Sequence, residues 1–268
     1  MQSITTIQEL LAQRGLSPRH SLGQNFLHDA NQVRKLVHAS GAAPGTRVLE
    51  VGPGTGALTE ALIDAGATVV ACEIDPGLAG LIRDRFNDKV VLYEGDCLQG
   101  KHVLSPGLLQ AIGDDSFMLV SNLPYQVATP LMLNLLEQVP ACGSMHVTIQ
   151  KEVADRLLAV PATPDWGPLG ILAQALSEVR LIGVVGPRCF WPVPKVDSAM
   201  VSLVRRNDPL VDDPASFGAF VGELFRGRRK QLGRLLGRSE GLPEDIESTQ
   251  RPGELTLDQL VQLHQLTR

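Results

Sequence analysis

The sequence predicts an α/β fold built on a doubly wound sheet, followed by a small helical domain. Short β-type runs alternate with helix-period segments up to residue 206. The last two β-type runs, 179–185 and 199–204, follow each other closely, which favours an antiparallel strand at the end of the sheet. From residue 207 on, no strand candidate remains, and a capping-box pattern starts the last helix at Thr256. We therefore expect seven strands in residues 1–206, the last one antiparallel, and an all-α domain in residues 207–268.

The composition is typical of a globular protein with a substantial core. Of 268 residues, 44% are hydrophobic, and the net charge is −5, so extensive disorder is not expected. The four cysteines are far apart and form no C-x-x-C pair, which argues against a zinc site or a disulfide framework. No segment has the pattern of a signal peptide or of a transmembrane helix. We expect a cytoplasmic protein without a metal, although a negative total charge is unusual for a nucleic-acid binder.

A glycine-rich turn follows the first predicted strand, 47–51. Its glycines let the backbone approach a ligand closely, and the helix that follows offers unpaired N–H groups. This arrangement predicts a nucleotide-type cofactor. It leaves NAD and S-adenosylmethionine as alternatives, because the turn also satisfies the loose dinucleotide fingerprint. The glycines are Gly52, Gly54 and Gly56.

Acidic residues follow the next two predicted strands. Glu73 ends the strand 68–74, 21 positions after Gly52, where a carboxylate commonly accepts both hydroxyl protons of a ribose. A solvated charge at a strand end is the alternative. Asp96 follows the strand 89–93 and could accept the exocyclic amine of an adenine, or could cap a turn. We favour ligand binding for both, because successive strands each carry a polar or glycine feature at the same sheet edge.

The fourth predicted strand ends in the motif Asn122-Leu123-Pro124-Tyr125. The motif follows the apolar run 117–120 and precedes an apolar, helix-like segment, 131–136. An amide, a proline and an aromatic ring thus lie at the carboxyl end of a strand, where open α/β sheets bind ligands. Asn-Leu-Pro-Tyr in this place resembles the motif of adenine-N6 methyltransferases. A fifth strand, 145–149, leads into a charged helix.

Residues 226–238 form a basic run in the predicted helical domain. The run holds six Arg or Lys residues and no acidic residue. A solvated helix face is the common explanation of such a run, but six unbalanced cations favour contact with phosphate groups. The RNA contacts that we expect are Arg226, Arg228, Arg229, Lys230 and Arg234.

Together these segments resemble the small-subunit ribosomal RNA adenine dimethyltransferase family, over nearly the whole chain and in the right order. The glycine turn is shared by many methyltransferases. The combination of Gln-Asn-Phe-Leu, Gln-Lys-Glu-Val and Pro-Lys-Val-Asp-Ser is much more specific. The matching segments are 22–27, 50–59, 73–75, 95–96, 122–125, 150–157, 194–199 and 228–230.

The resemblance implies a fold, an activity and a cofactor site. The fold would be the seven-stranded class I methyltransferase sheet, which is Rossmann-like, with a helical C-terminal domain. The activity would be dimethylation at N6 of two adjacent adenosines near the 3′ end of small-subunit (16S-type) rRNA, during maturation of that subunit. We expect a monomer whose partners are this rRNA and the immature small ribosomal subunit. The implied contacts of S-adenosyl-L-methionine are Asn25, Leu27, Gly52, Gly54, Glu73, Asp96 and Asn122.

The motif suggests a chemical hypothesis. The N6 lone pair of adenine is delocalised into the ring, so N6 is a weak nucleophile. The side-chain oxygen of Asn122 and a backbone carbonyl near Leu123 or Pro124 could each accept one N6 hydrogen, which favours a tetrahedral nitrogen. Tyr125 would stack on the extruded base, a contact of about 1–3 kcal/mol per base in comparable sites. The resemblance adds Phe190 as a second stacking partner.

Some residues depart from the family pattern, and three alternatives stay open. Gln126-Val127-Ala128 stands where Asn-Ile-Ser is common, and Trp166 stands where tyrosine is usual; we expect both differences beside the target pocket. The first alternative is an adenine methyltransferase that acts on large-subunit rRNA, of the antibiotic-resistance type. The second is a largely non-catalytic ribosome-assembly factor. The third is an NAD enzyme, for which no hydride-transfer acid or base is apparent.

Overall fold

The computed structural model describes residues 2–100, 103–237 and 240–267, and the chain divides into two compact units. The first unit is Met1–Ala154 with Arg180–Val204, and the second is Asp155–Val179 with Arg205–Arg268. The second unit therefore includes residues 155–179, which the predicted boundary at residue 206 places in the first domain. The helix Pro168–Leu176 in this segment packs against the helix Pro214–Arg226. A contact between segments so far apart in the sequence is not visible in any local sequence pattern.

A seven-stranded sheet forms the centre of the fold, as predicted. The strand order is β4-β3-β2-β5-β6-β9-β7, in which β2 to β6 pair in parallel and β9 pairs antiparallel with β6. The class I methyltransferase topology, with an antiparallel last strand, is thus confirmed. The strands are β2 Arg47–Val51, β3 Thr68–Glu73, β4 Val90–Glu94, β5 Phe117–Asn122, β6 Cys142–Gln150, β7 Ser177–Val185 and β9 Ser198–Arg205.

A small two-stranded sheet accompanies the large one in the first unit. Its strands, β1 (Phe26–Leu27) and β8 (Phe190–Trp191), are antiparallel, so that Leu27 lies opposite Phe190. Each strand has only two residues and no alternating pattern. The pairing was therefore not predicted. It nevertheless determines the position of two predicted site residues, Leu27 and Phe190.

The helices of the first unit begin at recognisable caps. The Asp29 side chain accepts hydrogen bonds from two N–H groups at the start of α2, and Asp75 does the same for α4, where Pro76 occupies the first turn. The helices are α1 Ile4–Ala12, α2 Ala30–Ser40, α3 Ala57–Asp64, α4 Pro76–Phe86, α5 Pro106–Ile112, α6 Tyr125–Gln138 and α7 Lys151–Leu157, whose last residues enter the second unit.

The second unit is helical around a buried aromatic pair. The predicted capping box is present: the N–H of Gln259 donates to Thr256 Oγ1 at 3.2 Å, and the N–H of Thr256 donates to Gln259 Oε1 at 3.0 Å. The His264 ring then packs edge-on against Phe217, with ring centroids 5.4 Å apart. The helices are α8 Pro168–Leu176, α9 Pro214–Arg226, α10 Leu232–Leu236 and α11 Leu257–Thr267.

The core of the first unit holds the ends of the central strands together. The inner residues of β2 and β5, among them Leu49 and Leu119, are fully buried. Next to them the buried hydroxyl of Ser121 donates to the carbonyl of Val51 at 2.6 Å, which ties the carboxyl ends of β5 and β2 to each other. In the part of the chain that is described, no helix has the length and hydrophobicity needed to span a bilayer.

Candidate active site

One cavity lies at the carboxyl ends of β2, β3, β4 and β5, and we call it the sheet-end cavity. Its volume is about 310 Å³, within the range of small-molecule sites. All of the predicted catalytic and cofactor residues line it, which places the predictions in one location while their individual roles stay predictions. These residues are Asn25, Leu27, Gly52, Gly54, Glu73, Asp96, Asn122, Leu123, Pro124, Tyr125 and Phe190.

The glycine turn can be built only from glycine at two positions. Gly52 and Gly54 have φ values of 73° and 60°, a left-handed conformation that side chains rarely adopt. A Cβ on Gly52 would lie 3.1 Å from Pro124 Cγ, and one on Gly54 would lie 2.9 Å from the Phe26 ring. The turn is therefore in close contact with both the Asn-Leu-Pro-Tyr motif and the N-terminal loop.

Glu73 is a buried carboxyl group held by backbone donors. It is 4% exposed, which does not fit a solvated charge at a strand end. The N–H of Asp75 donates to one oxygen at 3.0 Å, and the N–H of Gly54 donates to the other at 3.4 Å. Burial nevertheless raises the pKa of Glu73 to about 7, more than these hydrogen bonds lower it. The carboxyl group is thus fixed between the glycine turn and the start of α4.

Asp96 caps a turn and also lines the cavity, and binding of an adenine amine stays a prediction. Its Oδ1 accepts a hydrogen bond from the N–H of Leu98 at 2.9 Å, which is a turn cap. The same residue lines the sheet-end cavity. Because the cap fixes the carboxylate, the second oxygen has a defined position from which to accept a hydrogen bond from a ligand.

Glu50 is a site residue that the sequence analysis did not single out. It is 2% exposed, lines the sheet-end cavity, and accepts a hydrogen bond from Thr59 Oγ1 at 2.6 Å. Burial is the main cause that raises its pKa to about 8, and the nearby Glu73 adds to the effect. The signal was available as an acidic residue inside an otherwise apolar strand. Glu50 is mostly protonated at neutral pH and can donate a hydrogen bond.

The Asn122 amide is oriented by the N-terminal loop. Its Nδ2 donates to the carbonyl of Asn25 at 3.1 Å, and Asn25 Nδ2 donates in turn to the carbonyl of Gly23 at 3.1 Å. Since the nitrogen is used in this way, the side-chain oxygen is the group that is left to accept hydrogen bonds. The N–H of Leu123 donates to the carbonyl of Thr148 on β6 at 3.0 Å, which anchors the motif to the sheet.

Two aromatic side chains border the same cavity. The Tyr125 hydroxyl shares a hydrogen bond of 2.8 Å with Ser198 Oγ, and burial raises the pKa of this phenol. Phe190 is 1% exposed, and its strand pairing places it beside Leu27. The Tyr125 hydroxyl and the Phe190 backbone are therefore both held in position.

Only some of the residues that depart from the family pattern line the sheet-end cavity. Gln126 and Val127 line the sheet-end cavity. Trp166 belongs to the second unit, is 1% exposed, and donates its indole N–H to the carbonyl of Leu255 at 3.0 Å. It is absent from the lining of the sheet-end cavity. The expectation that Trp166 lies beside the target pocket therefore stays a prediction, and within the second unit its indole is fixed to the C-terminal residues.

The basic run has a more varied environment than its sequence suggests. The Arg228 guanidinium donates to the carbonyls of Thr163 and Pro164, both at 2.7 Å, and Arg226 pairs with Glu223. The last residue of the run, at position 238, lies outside the described residues. Three cations of the run have exposed side chains that make no hydrogen bond or ion pair with another described residue: Arg229, Lys230 and Arg234.

Comparisons with a family model and with related sequences point to the same family. Residues 15–258 match the family model described as ribosomal RNA adenine dimethylase. The ribosomal RNA small subunit methyltransferase A of Geobacillus kaustophilus is 42% identical over 251 residues, which cover 91% of this chain and 85% of that protein. The protein of the same name from Pseudomonas aeruginosa is 38% identical over 253 residues, with 91% and 92% covered.

Two solved structures are similar to this chain over most of their length. The 23S rRNA methyltransferase ErmE has a TM-score of 0.69 at 26% identity, covering 90% of this chain and 98% of that one. A dimethyladenosine transferase from Plasmodium falciparum has a TM-score of 0.73 at 22% identity, covering 89% and 95%. The second likeness concerns the fold alone, and both agree with the sheet topology described above.

We expect Glu50→Gln to flatten the pH dependence of stability. The folded pKa is about 8, against 4.5 for an exposed glutamate. Between these values the folded state keeps a proton that the unfolded state has lost, so the free energy of unfolding falls as the pH rises. Glutamine can still accept the Thr59 hydrogen bond but does not titrate. Urea denaturation from pH 5 to 9 should show a difference in slope on the order of 1 kcal/mol per pH unit.

Glu9→Gln, on the exposed face of α1, is the control and should leave the pH profile unchanged. Parallel profiles for the wild type and Glu50→Gln would mean that Glu50 is ionised in the folded protein, contrary to the expectation.

Proposed function

The chain belongs to the ribosomal RNA adenine dimethylase family, and we propose that its substrate is small-subunit rRNA. In this proposal it transfers methyl groups from S-adenosyl-L-methionine to N6 of two adjacent adenosines near the 3′ end of that rRNA, while the small subunit matures. The observation that carries the proposal is the shared cavity. The Asn-Leu-Pro-Tyr motif and the glycine turn meet there, with Pro124 packed against Gly52.

The residues of the sheet-end cavity fit S-adenosyl-L-methionine. When bound, this group supplies a methyl on a positively charged sulfur, so the donor is already activated. We assign the ribose hydroxyls to Glu73 and the adenine amine to Asp96. Gly52 and Gly54 carry no side chain and form a left-handed turn at the cavity, which allows the ligand to approach the backbone. Leu27, which also lines the cavity, supplies apolar surface.

Asn122 would act on the target amine by accepting a hydrogen bond. Its amide nitrogen is held by the carbonyl of Asn25, which leaves the oxygen for one N6 hydrogen. A backbone carbonyl at Leu123 or Pro124 would accept the other, and the anchored N–H of Leu123 fixes that stretch of backbone. Two acceptors draw the lone pair of N6 out of conjugation with the ring. Alignment of this kind, rather than a strong base, accounts for most of the expected rate enhancement.

The target base must leave its stack before N6 can reach the cavity. Tyr125 and Phe190 offer the compensating contacts, since each stacked base gains about 1–3 kcal/mol in comparable sites. Because Tyr125 is hydrogen-bonded to Ser198 and Phe190 is fixed by strand pairing, little side-chain entropy is lost when the base enters.

The proposal includes a place of action and a set of partners. The protein would work in the cytoplasm, as a monomer, on the immature small ribosomal subunit. Arg229, Lys230 and Arg234 would contact phosphate groups, together with Arg226 and Arg228. The identity of 38–42% to proteins named as small-subunit methyltransferases favours this substrate over large-subunit rRNA, since ErmE is only 26% identical.

A direct test uses subunits that lack the modification. Unmethylated small and large ribosomal subunits are incubated separately with the protein and a labelled methyl donor, and the modified nucleotides are mapped by mass spectrometry. We expect two adjacent dimethyladenosines near the 3′ end of the small-subunit rRNA. Label in large-subunit rRNA only would contradict the assigned substrate, and no label in either would support the non-catalytic alternative.

The Asn122→Ala variant should abolish methyl transfer and weaken cofactor binding only moderately. The substitution removes one of the two acceptors for the N6 hydrogens and leaves Glu73 and Asp96 in place. Single-turnover methylation of small subunits measures the first effect, and calorimetric titration with S-adenosyl-L-methionine measures the second. Asn31→Ala, an exposed change outside the cavity, is the control. Near wild-type turnover of Asn122→Ala would refute the role as an acceptor.

The double variant Arg229→Gln, Lys230→Gln should weaken RNA binding without changing cofactor affinity. Each phosphate contact contributes about 0.9 to the slope of log affinity against log salt concentration for a duplex, so the slope should fall by up to about 2. Filter binding of the small-subunit rRNA at several salt concentrations measures it. Arg228 is left unchanged because its guanidinium supports the fold.

The matched control is Arg34→Gln, Lys35→Gln, an adjacent Arg-Lys pair with exposed side chains on α2. It makes the same change in net charge. If both double variants reduced the slope equally, total charge would explain the effect and the basic run would have no special part in binding.

A further inference from the structure

The second unit contains a cavity of its own. Its volume is about 390 Å³, and it lies between α9 and the loop that precedes α8. Three arginines and several flat apolar side chains line it, and its only acidic side chain is Asp165. We call it the arginine cavity; the residues used in the argument are Arg156, Pro164, Trp166, Phe225, Arg226 and Arg228.

The arginine cavity concentrates positive charge in a chain whose net charge is −5. The Arg156 side chain makes no hydrogen bond or ion pair with another described residue. The Arg228 guanidinium uses N–H groups of its two terminal nitrogens for the carbonyls of Thr163 and Pro164, which leaves other donors of its fork. Arg226 adds a third cation, partly balanced by Glu223. Planar guanidinium groups of this kind suit phosphate oxygens.

The wall of the cavity is rigidly constructed. Ala162 has a φ of 65°, an uncommon conformation for a residue with a side chain. The loop keeps it because the N–H of Ala162 donates to the carbonyl of Gly253 at 2.8 Å and the Trp166 indole donates to Leu255. Two prolines, Pro161 and Pro164, restrict the same loop. A wall held at this many points offers a fixed surface to a ligand.

We propose that the arginine cavity binds one unstacked nucleotide of the RNA substrate, with its phosphate on Arg156 and Arg228 and its base against Phe225. A phosphate alone would need the cations but not the apolar wall. An apolar ligand would need the wall but not the cations. A nucleotide has both an anionic and a flat apolar part, and stacking and arginine contacts are how single-stranded RNA is recognised. This inference rests on the proposed function in one respect: the nucleotide is taken to be part of the RNA substrate.

The test uses uridine 5′-monophosphate as the probe, with the sheet-end cavity saturated by S-adenosylhomocysteine. The Trp166 indole N–H resonance reports binding to the full-length protein. We expect Arg156→Gln and Phe225→Ser each to weaken binding at least 10-fold, and Arg156→Lys to recover only part of the loss, because lysine lacks the planar fork. Arg34→Gln, which changes an exposed arginine on α2 that does not line the cavity, is the control and should bind as the wild type does.

Several outcomes would overturn the inference. If a folded Arg156→Gln variant bound uridine 5′-monophosphate as tightly as the wild type, the arginine cavity would not be the binding site. The same would follow if the probe did not perturb the Trp166 resonance. Inorganic phosphate binding as tightly as the nucleotide, with no effect of Phe225→Ser, would reduce it to a plain anion site. Asn122→Ala should bind the probe normally. If the wild type methylates small subunits but does not bind the probe, this inference fails while the proposed function stands.

Discussion

The contact between Pro124 and the backbone of Gly52 is the constraint on which the site depends. A Cβ at position 52 would lie only 3.1 Å from the proline ring, and the left-handed backbone there is one that side chains rarely adopt. The Ser121 hydroxyl reinforces this contact by joining the ends of β5 and β2. The glycine turn is expected to bind the methyl donor, and the Asn-Leu-Pro-Tyr motif is expected to bind the base that accepts the methyl group. These two parts of the site are therefore held next to each other at two points.

Burial of carboxyl groups gives the sheet-end cavity its electrostatic character. Glu50 and Glu73 both have pKa values raised by desolvation, to about 8 and about 7. Asp75 is equally buried but lies next to Arg19 at 3.4 Å and accepts from Gln24 at 3.1 Å. The three acids are thus supported differently, by a hydroxyl, by backbone N–H groups and by a cation. Glu50 and Glu73, which both line the cavity, can therefore change their charge near neutral pH.

The sequence predicted the parts of the fold that depend on local patterns. The apolar runs, the glycine turn and the capping box at Thr256 correspond to strands, a cofactor-type loop and a helix start because each depends on nearby residues. Features that depend on distant contacts were not predicted. The pairing of β1 with β8 and the membership of residues 155–179 in the second unit are of this kind. Glu50 was overlooked because its importance comes from burial, which follows from the packing of α3 on the sheet.

The pairing of β1 with β8 also bears on the order in which the protein can mature during its own synthesis. Phe190 cannot reach Leu27 until more than two thirds of the chain has left the ribosome, and a contact between residues so distant in sequence forms slowly. The glycine turn and β2 to β5 are made much earlier. A nascent chain would therefore have the strands that border the sheet-end cavity while Phe190 was still missing. A stalled or truncated product would lack this part of the cavity.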